Sequence, residues 1–166
     1  MKICVTGSSG YIGSAVTAYL KENSYHVVGI TTDIRDKEAL RPYFKGIDIV
    51  FHAAGKVKEV HNKEACYTIN VLGTKNVIEL CMEYGVKLIH LSSIQRFAPY
   101  GRSKQESQRI VEEYSNKGLK AITLRLCPII RKDSGINIRG RYYLEDLVVD
   151  IKNIITSCCR SSMKST

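Results

Sequence analysis

Short apolar runs alternate along the chain with segments in which apolar residues recur every three or four positions. The apolar runs predict buried strands at residues 2–5, 26–31, 47–53, 87–91 and 121–126. The segments with helical spacing predict helices at residues 11–22, 37–44, 63–84, 100–116 and 144–155. Residues 33–36 are interpreted as a brief further strand or a turn, with Asp36 capping the helix that follows.

Strict alternation of strand and helix is typical of a parallel sheet wrapped by helices. We therefore predict an α/β fold, a doubly wound parallel sheet with helices on both faces. The length of 166 residues suits one domain. We place that domain at residues 1–157 and expect a frayed tail at residues 158–166.

Three glycines stand between the first predicted strand and the first predicted helix. Residues 6–13 read Thr-Gly-Ser-Ser-Gly-Tyr-Ile-Gly, with glycine at positions 7, 10 and 13. This spacing lets the backbone turn out of the strand, approach a diphosphate and enter a helix packed tightly on the sheet. The N–H groups and dipole of that helix would then face the phosphates. The pattern predicts a dinucleotide site in a Rossmann-type sheet.

A second group of candidate functional residues lies around residue 100. Tyr100 and Lys104 are four residues apart, and therefore on one face of a predicted helix. A free tyrosine has a pKa of about 10, and a nearby cation would lower it toward neutrality. Ser93, at the end of the preceding strand, is placed to hydrogen-bond a substrate oxygen. These three residues predict proton transfer to or from an oxygen, coupled to nicotinamide chemistry.

Seven segments, in order, resemble the extended short-chain dehydrogenase/reductases, the NAD(P)-dependent epimerase/dehydratase group. They are residues 6–13, Asp33-Ile34, His52-Ala53-Ala54-Gly55, residues 70–74 (Asn-Val-Leu-Gly-Thr), Leu91-Ser92-Ser93 with Tyr100 and Lys104, residues 124–128 and residues 143–148. The resemblance implies that Tyr100 is the acid/base, Lys104 its activator and ribose binder, and Ser93 the proton-relay partner. Together with the glycine pattern it implies cofactor contacts at Gly7, Ser9, Gly10, Tyr11, Ile12, Gly13, Thr31, Asp33, Ile34, His52, Ala53, Ala54, Gly55, Asn70, Tyr100 and Lys104.

Departures from the family pattern affect the part of the fold that would bind the substrate. The connection from the second strand to Asp33 is short and resembles the dTDP-4-dehydrorhamnose reductase branch. Only six residues separate Ser93 from Tyr100, and the C-terminal substrate lobe is expected to be largely missing. Thr31 or Thr32 stands where NAD sites carry an acidic residue, and Arg35 could meet a 2′-phosphate. We expect NADP slightly more than NAD, with Asp33 in the NAD role as the alternative.

Charge and composition limit the partners. The formal net charge is +9, and residues 96–141 hold 11 of the 25 basic but only 4 of the 16 acidic residues. This favours a small anionic substrate such as a nucleotide sugar, or else reflects a solvated surface. No nucleic-acid module is recognisable, and no segment has the ~20 apolar residues that span a membrane. Three of the four histidines (26, 61 and 90) and the six cysteines lack metal-type spacing, so we expect no metal and a cytoplasmic protein with reduced thiols.

Two functions remain open from the sequence. The first is an NAD(P)-dependent oxidoreductase, epimerase or dehydratase acting on a nucleotide sugar or similar small carbonyl compound through Ser93, Tyr100 and Lys104. The second is a dinucleotide-binding module, or a truncated relative, without turnover of its own. A homodimer through the predicted helices at 63–84 and 100–116 is a further expectation of the resemblance.

Overall fold

A computed structural model of the chain describes residues 1–57, 62–136 and 140–162. Its strands are β1 (Lys2–Thr6), β2 (His26–Ile30), β3 (Ile49–His52), β4 (Lys87–Ser93), β5 (Ala121–Leu126), β6 (Ile129–Ile130) and β7 (Tyr142–Tyr143). Its α-helices are α1 (Tyr11–Glu22), α2 (Lys37–Leu40), α3 (Lys63–Tyr67), α4 (Thr74–Tyr84), α5 (Ala98–Asn116) and α6 (Leu144–Ser162).

Five of the strands form one parallel sheet in the order β2-β1-β3-β4-β5. The chain leaves β1 toward one edge to form β2 and returns to the other side of β1 to form β3. This reversal opens a crevice at the carboxyl ends of β1 and β3, where open α/β sheets bind their ligands. The predicted α/β class and parallel sheet are confirmed.

Helices cover both faces of the sheet, because side chains along each strand point alternately to opposite sides. Ile3 and Val5 of β1 pack with α1 and α6, in a cluster that includes Val16, Leu20, Leu147 and Ile151. Cys4, between them in β1, belongs to the opposite cluster, with Leu40 of α2, Ile78 of α4 and Val111 of α5. The sheet is therefore doubly wound, as expected.

Two predicted helices are divided in the structure. The helix expected at residues 63–84 consists of α3, a π-helical segment at Thr68–Gly73, and α4. The helix expected at residues 37–44 is α2 followed by a 3₁₀ turn at Arg41–Tyr43, with Pro42 near the start of the turn. Residues 33–36 form a turn, and the Asp36 carboxylate caps α2 by accepting from the Ala39 N–H at 3.0 Å.

The last helix is longer than predicted. We expected it to end at residue 155 and the chain to fray from residue 158, whereas α6 reaches Ser162. The Lys87 ammonium donates a hydrogen bond of 2.7 Å to the Cys158 carbonyl. On the other side of the helix the Lys152 ammonium donates to the Asn23 side-chain oxygen at 2.7 Å. These contacts with β4 and with the end of α1 hold α6 against the sheet, while the division into a domain of residues 1–157 and a tail of residues 158–166 stays a prediction.

The centre of the sheet should dominate stability. Phe51 of β3 is 0% exposed, whereas Phe97 is 82% exposed. Replacing Phe51 with alanine removes a buried ring and leaves a cavity, at a cost of about 3–5 kcal/mol in the free energy of unfolding. Urea unfolding followed by circular dichroism measures this cost. Phe97→Ala is the matched control and should change the free energy by less than about 1 kcal/mol; equal effects would contradict the assigned core.

Candidate functional site

The glycine loop is built by very close backbone contacts. Gly7 has a φ of +66°, and a Cβ atom there would lie 2.7 Å from the backbone N and Cα of Ala54. A Cβ on Gly13 would lie 2.1 Å from the Gly7 carbonyl oxygen. Only glycine fits at either position, since Gly7 crosses the end of β3 and α1 packs onto the loop. The predicted roles of Gly7 and Gly13 in shaping the loop are therefore visible as steric constraints.

The loop presents the N-terminus of α1 to the crevice. Gly10 caps α1, and the first turn of the helix contains no acidic residue. The free N–H groups and the positive end of the helix dipole therefore face the crevice with no competing carboxylate from that turn. This cradle, which a side chain at position 7 or 13 would fill, fits a dinucleotide diphosphate.

Buried polar contacts fix the end of β3 against β1. The Thr6 hydroxyl is 2.7 Å from Nδ1 of His52, and the Thr74 hydroxyl is 3.0 Å from Nε2 of the same ring. The Ala54 N–H donates to the Thr6 hydroxyl at 3.3 Å. Burial, and secondarily the charge of Lys104, lowers the pKa of His52 to about 3. His52 is thus a neutral, fully buried side chain behind the site; its expected cofactor contact, for which its backbone would suffice, stays a prediction.

Asn70 joins two sides of the site. Its side-chain oxygen accepts from the Lys56 N–H at 2.6 Å, and its amide donates to the Lys56 carbonyl at 3.1 Å. The same amide donates to the Ser103 hydroxyl at 2.9 Å, and Ser103 donates to the Tyr100 carbonyl at 2.7 Å. Asn70 is fully buried in the π-helical segment. It connects the segment after β3 to α5 and does not line the crevice itself.

The residues after β2 that were expected to contact the cofactor are either exposed or buried in the core. Asp33 and Arg35 form an exposed ion pair, with Arg35 Nη2 2.5 Å from Asp33 Oδ2. The Arg35 side chain lowers the pKa of Asp33 by hydrogen bonding to it. Ile34 is buried in the core, and a Cβ on Gly73 would lie 2.6 Å from its Cγ1. Only the backbone of Ile34 remains available to an adenine, while Thr31 is exposed beyond the end of β2.

Ser93, Tyr100 and Lys104 are brought together by β4 and α5. Ser93 ends β4, and Tyr100 and Lys104 lie one turn apart on α5. A Cβ on Gly101 would lie 2.8 Å from the Gln95 carbonyl oxygen, so glycine there lets α5 pack closely on the loop after β4. The hydroxyls of Ser92 and Ser107 both donate to the Lys104 carbonyl, at 3.3 and 3.0 Å. The three predicted catalytic side chains thus share one wall.

The electrostatics of this wall differ from expectation. The pKa of Tyr100 is raised, mainly by burial, and its hydrogen bond with Ser93 opposes the rise. Lys104 does not contribute to that shift, so the expected lowering of the tyrosine pKa by the lysine is not found. Burial lowers the pKa of Lys104 to about 8, since only 6% of the residue is exposed to solvent. At neutral pH both groups hold their protons.

A pair of buried histidines lies behind Lys104. The rings of His52 and His90 stack with centroids 5.7 Å apart. Burial, then Lys104, then His52 lower the pKa of His90 well below its ordinary value. Within the described residues no group of three or more metal-ligating side chains exists, and His61 lies outside those residues. The described part of the chain also has no helix combining the length and apolar character that crossing a membrane requires.

One cleft of about 930 Å³ is lined both by the glycine loop and by Ser93, Tyr100 and Lys104. The predicted residues that line it are Gly10, Tyr11, Ile12, Gly13, Ala53, Ala54, Gly55, Ser93, Tyr100 and Lys104. Gly7, Ser9, Thr31, Asp33, Ile34, His52 and Asn70 do not line it. The glycine loop and the Ser-Tyr-Lys wall therefore face the same space, which is what chemistry on a bound dinucleotide requires.

Sequence reasoning missed a large part of the lining. The loop after β4 contributes Ile94, Gln95, Arg96 and Phe97, and the segment after β5 contributes Cys127, Pro128 and Ile129. Both segments follow the carboxyl ends of parallel strands, where ligand sites of such sheets are formed. Applied to β4 and β5, that rule predicts that both segments line the site.

Comparisons with known proteins identify the family. The family model "NAD dependent epimerase/dehydratase family" matches residues 3–132, and the chain belongs to that family. The mouse (Mus musculus) sterol-4-alpha-carboxylate 3-dehydrogenase, decarboxylating, is 34% identical over 106 residues, which are 55% of this chain and 29% of that protein. An N-acetyl-alpha-D-glucosaminyl-diphospho-ditrans,octacis-undecaprenol 4-epimerase from Escherichia coli is 29% identical and covers 90% of this chain and 53% of that protein.

Solved structures share the fold. dTDP-4-dehydrorhamnose reductase from Bacillus anthracis, in complex with NADP, superposes with a TM-score of 0.80 at 21% identity, covering 93% of this chain and 70% of that one. UDP-glucose 4-epimerase from Thermus thermophilus, in complex with NAD, gives a TM-score of 0.72 at 23% identity, covering 84% and 59%. The chain thus spans only part of its curated relatives, 29% of the mouse protein and 53% of the bacterial epimerase.

The buried Lys104 predicts a pH-dependent stability. Its pKa is about 8 in the folded chain against 10.5 for an ordinary lysine. Between these values the unfolded chain holds a proton that the folded chain has released, so stability rises with pH. The free energy of unfolding of wild type minus that of Lys104→Met should increase by about 3 kcal/mol between pH 8 and 10.5.

Urea unfolding at several pH values measures this difference. Taking the difference between the two proteins removes the contributions of cysteines and tyrosines that titrate in the same range. Lys45→Met, at an exposed lysine, is the control for removing a lysine. A wild-type-minus-Lys104→Met difference that stays constant with pH would show that Lys104 titrates near its ordinary value.

Proposed function

We propose that the chain is an NAD(P)-dependent oxidoreductase, epimerase or dehydratase acting on a nucleotide sugar or a similar small carbonyl compound. The observation that carries the proposal is that the glycine loop and the Ser93, Tyr100 and Lys104 wall line one cleft. Membership of the epimerase/dehydratase family supports it. The chain is shorter than its relatives, so turnover by these 166 residues is part of the proposal.

The residues that would hold the dinucleotide lie along the crevice. Gly10, Gly13 and the N-terminus of α1 would bind the diphosphate, and Ala53 to Gly55 would lie along the nicotinamide half. When bound, the nicotinamide supplies the redox chemistry. The apolar side chains of Ile94 and Phe97 also line the space beside Tyr100.

Side chains on β4 and α5 would carry out the proton transfer. Tyr100 is protonated at neutral pH, and burial raises its pKa further. It would donate its phenolic proton to a substrate carbonyl oxygen, and in the reverse direction its phenolate would take a proton from an alcohol. The Ser93 hydroxyl would donate a hydrogen bond to the same oxygen and stabilise the charge that develops there. Lys104, already protonated at neutral pH, would bind ribose hydroxyls through its ammonium, and in the proposed complex that positive charge would favour the phenolate form of Tyr100.

We prefer NADP as the cofactor, with NAD as the alternative. No acidic residue ends β2, where Thr31 and Thr32 stand. The Asp33 carboxylate, which would serve an NAD ribose, already accepts three hydrogen bonds from the Arg35 guanidinium at 2.5–3.0 Å. A 2′-phosphate could take over those donors, since a guanidinium binds phosphate as well as carboxylate.

The partners and location remain expectations. A cytoplasmic location is supported by the thiols of Cys4, Cys81 and Cys127, which form no disulfide within the described residues. A homodimer is supported by the exposed apolar residues Tyr67, Leu72 and Met82 on the α3 to α4 side. The exposed residues of α5 are polar or charged, and its apolar residues Ile110 and Val111 are buried, so α5 would contribute little apolar area to such an interface.

Tyr100→Phe separates catalysis from binding. Removal of the phenolic proton should lower turnover of a carbonyl substrate roughly a hundredfold or more, because general acid catalysis contributes about that much. The dissociation constant of NADPH should stay nearly unchanged. Oxidation of NADPH with a panel of nucleotide sugars and small ketones measures the first, and nicotinamide fluorescence the second.

Tyr67→Phe, at an exposed tyrosine on α3, is the matched control and should keep full activity. Equal loss of activity in both variants would contradict the assigned role of Tyr100. If the wild-type chain binds NADPH but turns over none of the panel, the alternative function holds, a dinucleotide-binding module without turnover.

A further inference from the structure

A second cavity opens beside the cleft, between the exposed face of α5 and the edge strand β5. Its volume is about 430 Å³, and three arginines line it, Arg96, Arg109 and Arg125. We call it the arginine groove. Ser93, Ile94 and Arg96 line both the groove and the cleft. The two cavities are therefore continuous at Ser93, the residue that we propose to donate a hydrogen bond to the substrate oxygen.

The register of the sheet explains how Arg125 reaches this position. Arg125 lies opposite Ser92 in the β4–β5 pair, and Leu126 lies opposite Ser93. Leu124 and Leu126 pack toward the cluster formed with α1 and α6. Because side chains alternate along a strand, Arg125 faces the opposite side, where α5 lies. Arg125 is exposed there, one residue from the position paired with Ser93.

Two of the three arginines that line the groove have no carboxylate partner in the part of the chain that the structure describes. Arg35, Arg41, Arg109 and Arg131 each pair with a carboxylate. Neither Arg96 nor Arg125 has such a partner within the described residues. Glu112 also lines the groove and accepts a hydrogen bond from Gln108 at 2.8 Å. The charge of Arg109 is offset by its ion pair with Glu106, so the guanidiniums of Arg96 and Arg125, against the carboxylate of Glu112, leave the groove positively charged and available to an anionic ligand.

We infer that the arginine groove binds a phosphate or diphosphate group of the substrate while the reacting carbon lies in the cleft beside Ser93. Guanidinium groups donate paired hydrogen bonds that match phosphoryl oxygens, and two of them suit a group with several charged oxygens. The inference rests on the proposed function, because it takes Ser93 as the contact of the reacting end. It adds Arg96 and Arg125 as the residues that select phosphorylated substrates.

Inorganic pyrophosphate tests the groove directly. The ¹⁵N-labelled chain is titrated with pyrophosphate, and the arginine Nε–H resonances of Arg96 and Arg125 are followed, assigned from the single variants Arg96→Gln and Arg125→Gln. Both resonances should shift together and saturate in the wild type. The remaining resonance in each single variant should respond with a roughly tenfold weaker dissociation constant, because each charge-assisted bond contributes about that much.

Arg102→Gln is the matched control. Arg102 is an exposed arginine of α5 that lines neither cavity, so this variant should bind pyrophosphate at the groove like the wild type. Arg96 also lines the cleft, whereas Arg125 lines only the groove, so the Arg125 signal distinguishes pyrophosphate in the groove from pyrophosphate at the glycine loop. Circular dichroism checks that each variant is folded.

Three results would overturn the inference. The arginine signals could fail to shift, Arg102→Gln could weaken binding as much as Arg125→Gln, or succinate could bind as tightly as pyrophosphate. The second result would reveal general surface charge, and the third a carboxylate site. The titration contains no cofactor and needs no turnover, so its failure leaves the proposed function standing, and loss of the proposed function would appear instead in NADPH binding or in the Tyr100→Phe assay.

Discussion

Two backbone segments meet at the carboxyl ends of β1 and β3 with no room for a side chain between them. A Cβ on Gly7 would lie 2.7 Å from Ala54, and a Cβ on Gly13 would lie 2.1 Å from the Gly7 carbonyl oxygen. This contact sets how closely α1 approaches the sheet and how far its N-terminus projects into the crevice. The width of the cleft, and the approach of a ligand to Tyr100 on its far wall, depend on it.

Hydrogen bonds between polar groups buried behind the cleft fix the positions of its two walls relative to each other. Thr6, His52 and Thr74 form one chain of hydrogen bonds under the glycine-loop side, and Asn70 connects the segment after β3 to α5. Because such groups are costly to bury unpaired, each contact favours one arrangement of the walls. Lys104 is the exception, since burying its ammonium lowers its pKa to about 8 and reduces stability at neutral pH. A costly buried charge beside a tyrosine is typical of a site kept for function.

Local features of the sequence predicted most of the fold. Apolar runs and helical spacing located the strands and α1, and the glycines at 7, 10 and 13 located the loop, since these depend on neighbours in the chain. The division of the 63–84 helix by a π-helical segment was not predicted, because it depends on the contact of Asn70 with Lys56 across the fold. The raised pKa of Tyr100 follows from burial that spacing cannot reveal. Arg125 joins the groove only through the pairing of β5 with β4.

The most direct test of the account is a fluorescence titration of the chain with NADPH and NADH, comparing wild type, Gly13→Ala and Ser14→Ala. The contact between Gly13 and Gly7 predicts that wild type and Ser14→Ala, whose change lies on the exposed side of α1, bind one of the dinucleotides with a dissociation constant on the order of micromolar. Gly13→Ala should bind roughly tenfold or more weakly while remaining folded. Absence of binding by the wild type, or equal binding by Gly13→Ala, would contradict the claim that this backbone contact builds a dinucleotide site.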